Sequence, residues 1–154
     1  MRLLVFYLLG IPVSLICHAS LPINLLTAGD TEQFFVLLAV IAGLSTLTKP
    51  LLLLFTAWKA FFDLSLLRNV LRATTGGFID ILPFNACLLF LFISLFVYLA
   101  AAASAEYFTF QTTARDGKLL RLGAFWRYLA LSFAFLAASV VLALVWRQIY
   151  PLLS

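Results

Sequence analysis

From Leu3 to Gly29 the chain runs for 27 residues without an Asp, Glu, Lys or Arg. At about 1.5 Å per helical residue, about 20 apolar residues cross a bilayer core, so this run is long enough to span one. Three further stretches lack formal charge: Gln33–Thr48, Ile81–Ala105 and Tyr128–Trp146. Lipid offers no hydrogen bonds to the backbone, so such segments satisfy it internally as helices. The fold class expected is an all-α integral membrane protein forming one multi-pass domain over 1–154.

Composition agrees. Hydrophobic residues make up 65% of the chain and charged residues 10%, against roughly a quarter charged in soluble domains. The net charge of +4 does not point to nucleic acid, because no dense basic run is interleaved with an aromatic platform. Lys and Arg at membrane boundaries account for it, orienting helices and meeting anionic headgroups.

Four spans are expected, at about 3–26, 33–48, 84–105 and 128–146. Pro12 bends the first and Lys49-Pro50 ends the second. Arg127 and Arg147, with Trp126, Tyr128, Trp146 and Tyr150, bracket the last as interface anchors. Met1-Arg2 and the apolar run after it resemble a short secretory signal, with Cys17-His18-Ala19 as a weak cleavage site; the segment is read as a retained span. The loop Thr27–Glu32 holds two acids and no base, which places it outside.

The stretch 51–72 holds Lys59, Asp63, Arg68 and Arg72. As a span it would carry two charges near its centre, each costing roughly 2.5–3.5 kcal/mol on insertion scales. The reading preferred is an amphipathic interfacial or cytosolic helix between spans 2 and 3; a fifth span is the alternative, and charge bias slightly favours it. Between spans 3 and 4, Asp116-Gly117 follows Thr, Phe and Tyr residues, which predicts a short β-hairpin at 108–122, with an irregular loop as its alternative.

The chemistry is sparse. His18 is the single histidine, excluding bis-histidine haem ligation within one chain; a hydrogen bond across a helix interface is the simplest role for it. Cys17 and Cys87 form no CxxC pair and read as unpaired apolar thiols. No Ser/His/Asp set, carboxylate pair or phosphate loop appears, so no catalytic residue, metal or cofactor is expected. Asp80 with Asn85 is the best polar pair, read as a helix-start cap. Acids deep in a span are missing under the four-span reading, which argues against an ion-coupled carrier.

Small residues at spacing four mark candidate packing faces: Gly10, Ser14 and His18; Ala39 and Gly43; Ala130, Ala134 and Ala138. Lys59, Arg68, Arg72, Arg115, Lys118 and Arg121 are candidate contacts for lipid or a partner. The expected function is a non-catalytic anchor, sensor or scaffold in a homo-oligomer or in a complex with a soluble partner. Its setting would be a bacterial inner membrane. A small oligomeric pore is the alternative; an enzyme or carrier with a cryptic site is the third.

Overall fold

The computed structural model describes residues 2–17, 28–44, 49–73, 81–114 and 118–152. Five α-helices follow one another: α1 (Arg2–Cys17), α2 (Ala28–Ala42), α3 (Lys49–Ala73), α4 (Ile81–Ala114) and α5 (Lys118–Ile149). A 3-10 turn at Tyr150–Leu152 closes the series. There is no strand among the described residues. Pro50 lies in the first turn of α3 and Pro83 in the first turn of α4, where a missing N–H costs nothing because no carbonyl precedes it in the helix.

Three helices are long and apolar enough to cross a membrane: Pro50–Leu71, Phe84–Thr109 and Leu122–Gln148. The chain is therefore all-helical and has the features of a multi-pass membrane protein. The four-span arrangement changes in its first half. The first helix ends at Cys17, with the rest of the expected 3–26 span beyond the described residues, and the second has 15 residues. The segment expected at the interface, 51–72, lies inside the bundle as α3.

Side-chain contacts fix the helix directions. Lys59 meets Ser94 and Thr56 meets Tyr98, so α3 and α4 are antiparallel. Phe90 packs on Trp146 and Phe108 on Tyr128, so α4 and α5 are antiparallel. Tyr7 meets Asp63 while Gly10 packs against Ala57 and Ala60, so α1 also opposes α3. Glu32 lies beside Ser94, and Gly43 beside Ala105, making α2 parallel to α4. Thus α1 and α2 both oppose α3 and run the same way, whereas successive spans joined by a short outer loop would run oppositely.

The expected hairpin at 108–122 does not form: α4 continues through Ala114 and α5 begins at Lys118. Packing overrides strand propensity here. Ala101, Ala105 and Phe108 fall on one helical stripe and are buried. The Phe108 ring stacks on Tyr128 at 4.5 Å between centroids and 7° between planes. Asp116-Gly117 lies outside the described residues.

The core joins Phe35, Val36 and Ala39 of α2, Phe62, Leu66 and Val70 of α3, Phe90 and Tyr98 of α4, and Trp146 of α5. Large apolar side chains cover the outside, including Phe92 and Phe96 of α4 and Phe133 and Val141 of α5. That inversion is at home in lipid and would be an aggregation liability in water.

Candidate functional site

The centre of the bundle holds a cluster of ionisable and hydroxyl side chains drawn from four helices. Lys59 of α3 is 0% exposed. Its Nζ lies 2.7 Å from Glu32 Oε2 of α2 and 2.5 Å from Asp63 Oδ1, one turn along α3. It also donates to Ser94 Oγ of α4 at 3.0 Å. The Ser94 hydroxyl in turn donates to Glu32 Oε2 at 2.6 Å. On the far side, Tyr7 of α1 donates its hydroxyl proton to Asp63 Oδ2 at 2.6 Å. The ammonium also stands 5.9 Å from the centre of the Phe35 ring, within cation–π range.

Depth follows from helix geometry. Lys59 is nine residues from Pro50 and twelve from Leu71, or about 13 and 18 Å along the axis. Ser94 lies about 15 Å in from Phe84 on the same arithmetic. Both values reach the middle of a hydrocarbon core about 30 Å thick. Charges at that depth are expensive alone and tolerated when paired and hydrogen-bonded. Here every carboxylate oxygen has a donor, and the ammonium has three acceptors.

One ammonium faces two carboxylates, so the fully ionised cluster has an excess of one negative charge. Glu32 and Asp63 are 2% and 5% exposed, so water screens little of it. A second polar layer lies one turn away on α3. Thr56 donates to Leu52 O at 2.7 Å, so the Tyr98 hydroxyl, 3.0 Å from Thr56 Oγ1, is the donor of that pair. Tyr128 of α5 donates to Val40 O at 2.6 Å, a carbonyl in the last turn of α2 that also accepts from the Gly43 N–H at 3.1 Å.

Between α1 and α4, with α3 as its floor, runs a groove of about 260 Å³. Tyr7 and Asp63 reach it from the cluster; the rest of its lining is Ile, Leu, Ala and Phe. No group of three or more His, Cys, Asp or Glu arranged to hold a metal occurs among the described residues.

Lys59 is not the lipid or partner contact the sequence suggests; it is the hub of the core. Nor is Glu32 in an outer loop: it belongs to α2 and is buried. The premise that acids are missing at depth fails with it. Arg68 is half-buried; the side chains of Arg72, Lys118 and Arg121, and all of Arg115, lie outside the described residues. Gly10 packs on α3, where an added Cβ would sit 2.7 Å from Ala57 O and 2.8 Å from Ala60 Cβ. Ala39 and Gly43 are buried on α2, Gly43 against Ala105 and Tyr128. Ala130 and Ala134 face outward, and Ala138 is half-buried. The Ser14 side chain and His18 lie outside the described residues. Asn85 is exposed, and Cys87 is a buried free thiol.

Sequence reasoning missed Glu32, Ser94 and Tyr7. One signal was available: Glu32 shares a helical stripe with Phe35, Val36 and Ala39, the apolar face of α2. An acid on the buried stripe of one helix calls for a base on another, and Lys59 is the base near mid-span.

The fold and cluster define a class: an all-helical bundle, with three helices fit to cross a membrane and an ionic cluster at its centre. No protein-family model, curated protein or solved structure matches the chain.

Proposed function

We propose that the chain is a non-catalytic subunit of a bacterial inner-membrane assembly, acting as an anchor or scaffold in a homo-oligomer or beside a soluble partner. The observation that carries this reading is the closure of the ionic cluster. Its donors and acceptors are matched within one chain, across four helices, at depths where a loose charge would be costly. Such a cluster fastens helices and fixes their register. The groove that touches it is lined mainly with hydrocarbon, Tyr7 and Asp63 apart, which does not suit a water-filled passage.

The pore alternative needs polar positions on outward faces that copies could bring together around an axis. The outward faces of α4 and α5 present Leu89, Phe92, Phe96, Phe133, Val141 and Leu144 instead. The outward Ala130 and Ala134 lie among these bulky side chains and would let a neighbouring helix approach closely. On this reading, lipid covers the phenylalanine faces and a second subunit meets the alanine face.

Native mass spectrometry from mild detergent and from nanodiscs tests the proposal, together with ion and proton flux in liposomes. The reading predicts a defined oligomer, or a stoichiometric partner, and no flux. Ala134→Trp should weaken self-association while leaving helix content unchanged. A monomer under all gentle conditions, with no partner, would contradict it; flux at the level of a channel would establish the pore instead.

A further inference from the structure

We propose that the pocket between α4 and α5 at Arg127 is a binding site for the phosphate headgroup of an anionic phospholipid. This goes beyond the scaffold reading and does not depend on it. The pocket measures about 150 Å³, and its lining includes Ser104, Tyr107 and Phe108 of α4 with Arg127, Tyr128 and Leu131 of α5. The Ser104 hydroxyl donates to Ala101 O and the Tyr128 hydroxyl to Val40 O. The Arg127 guanidinium and the Tyr107 hydroxyl are left without a partner among the described residues. Neither Glu106 nor any other acid lines the pocket. One recess therefore offers a fork of N–H donors, a phenol and a positive charge that no carboxylate neutralises. Arg115, Lys118 and Arg121 precede Arg127 in the chain, against the single acid Asp116, so this segment attracts anionic lipid to the same end of the bundle.

Depth and polarity select the ligand. The apolar span of α5 is 27 residues long, about 40 Å at about 1.5 Å per residue, against a hydrocarbon core about 30 Å thick. About 5 Å at each end therefore reaches into the headgroup region. Arg127 is five residues in from Leu122, or about 7.5 Å, so its Cα sits close to the boundary between acyl chains and headgroups. Helical side chains lean toward the N-terminus, which for α5 is this end, so the guanidinium reaches outward to headgroup depth. Tyr107 lies two residues from the end of its own span at Thr109 and is 64% exposed. Leu131, one turn deeper than Arg127, is 48% exposed. The pocket is thus polar at its shallow end and apolar at its deep end, the order of groups in a lipid. An arginine fork matches two phosphate oxygens. The volume is well below the roughly 300–1,000 Å³ of drug-sized sites, so a headgroup fragment fills it while the acyl chains lie over Leu131. A free phosphate gains nothing from Leu131, and a zwitterionic lipid brings its own cation to the phosphate.

Native mass spectrometry of the full chain in mild detergent, titrated with lipid, counts the bound molecules and gives their dissociation constants. The probes are dioleoylphosphatidylglycerol, dioleoylphosphatidylcholine and inorganic phosphate. The expected result is one tightly held phosphatidylglycerol per chain, bound at least about fivefold more tightly than phosphatidylcholine, the ratio that one basic residue near the surface supplies. Arg127→Gln should bring phosphatidylglycerol down to the level of phosphatidylcholine. Tyr107→Phe, which keeps the charge and removes one donor, should weaken binding by about two- to tenfold. Arg147→Gln, at the opposite end of α5, should leave it unchanged. All three side chains are exposed, so these variants keep the bundle core intact. The absence of any preference for phosphatidylglycerol would overturn the proposal. Equal losses in Arg127→Gln and Arg147→Gln would also overturn it, by showing general attraction to surface cations. An unchanged Tyr107→Phe would place the lipid outside the pocket, and displacement by inorganic phosphate at equal concentration would show a phosphate site that needs no lipid; either result contradicts the assignment.

Discussion

Lys59 holds the bundle together because it is the single ammonium among two buried carboxylates. Replacing it with Met leaves Glu32 and Asp63 facing each other, with no counter-charge and no way out to water. Breaking a buried pair in this way costs about 3–5 kcal/mol. Lys59→Met should therefore unfold at much lower SDS fraction than the wild type in detergent micelles, or fail to accumulate. Removing all the charge is a different matter. The triple variant Glu32→Gln, Asp63→Asn, Lys59→Met leaves no bare ion, and neutralised buried pairs are often as stable as the original. It should recover most of what Lys59→Met loses; a triple variant no better than the single would show that charge balance is not what Lys59 supplies. At this scale the sequence is only partly legible. Lys59 and Asp63 stand four residues apart and announce a pair. The second acid, 27 positions before Lys59, becomes visible only when α2 is laid against α3.

Helices pack as closely as their smallest residues allow. Gly10 brings α1 onto Ala57 and Ala60 of α3, with no room for a Cβ. Gly10→Val should destabilise by about 1–3 kcal/mol through overpacking. Gly123, near the start of α5, meets nothing within 4 Å. Gly123→Ala should instead stabilise by about 1 kcal/mol or slightly less, the gain in helix propensity alone. The two glycines look alike in sequence, and thermal or SDS unfolding of both variants separates them; equal effects would argue against the packing of α1 on α3. The spans Phe84–Thr109 and Leu122–Gln148 are legible because their length and hydropathy speak for themselves. The hairpin at 108–122 was not, because local strand propensity lost to burial of Ala105 and Phe108 against Tyr128. The interfacial placement of 51–72 fails for a related reason: insertion scales weigh each charge alone, while the fold supplies Glu32, Ser94 and Tyr7 as compensation.

The arrangement of helices in the whole molecule departs most from a simple serpentine. Because α1 and α2 both oppose α3, Arg2, Asp30 and Asn85 lie at one end of the bundle and Gly123 at the other. Asp30 meets Arg147 there at 3.2 Å, in an exposed pair worth at most about 1 kcal/mol. Single cysteines at 2, 30, 85 and 123, in a background lacking Cys17 and Cys87, should label with a membrane-impermeant maleimide as three against one. A serpentine of four spans joined by an acidic outer loop predicts two against two, with position 30 siding with 123. One contact is decisive for the bundle, Lys59 of α3 with Glu32 of α2, which exists only if α3 lies within it. A double-mutant cycle of Lys59→Met and Glu32→Gln, read by reversible SDS unfolding, measures it directly. The account predicts a coupling of at least about 1 kcal/mol. Additivity within about 0.3–0.5 kcal/mol, as expected for distant sites, would return Lys59 to the membrane surface and contradict the buried cluster.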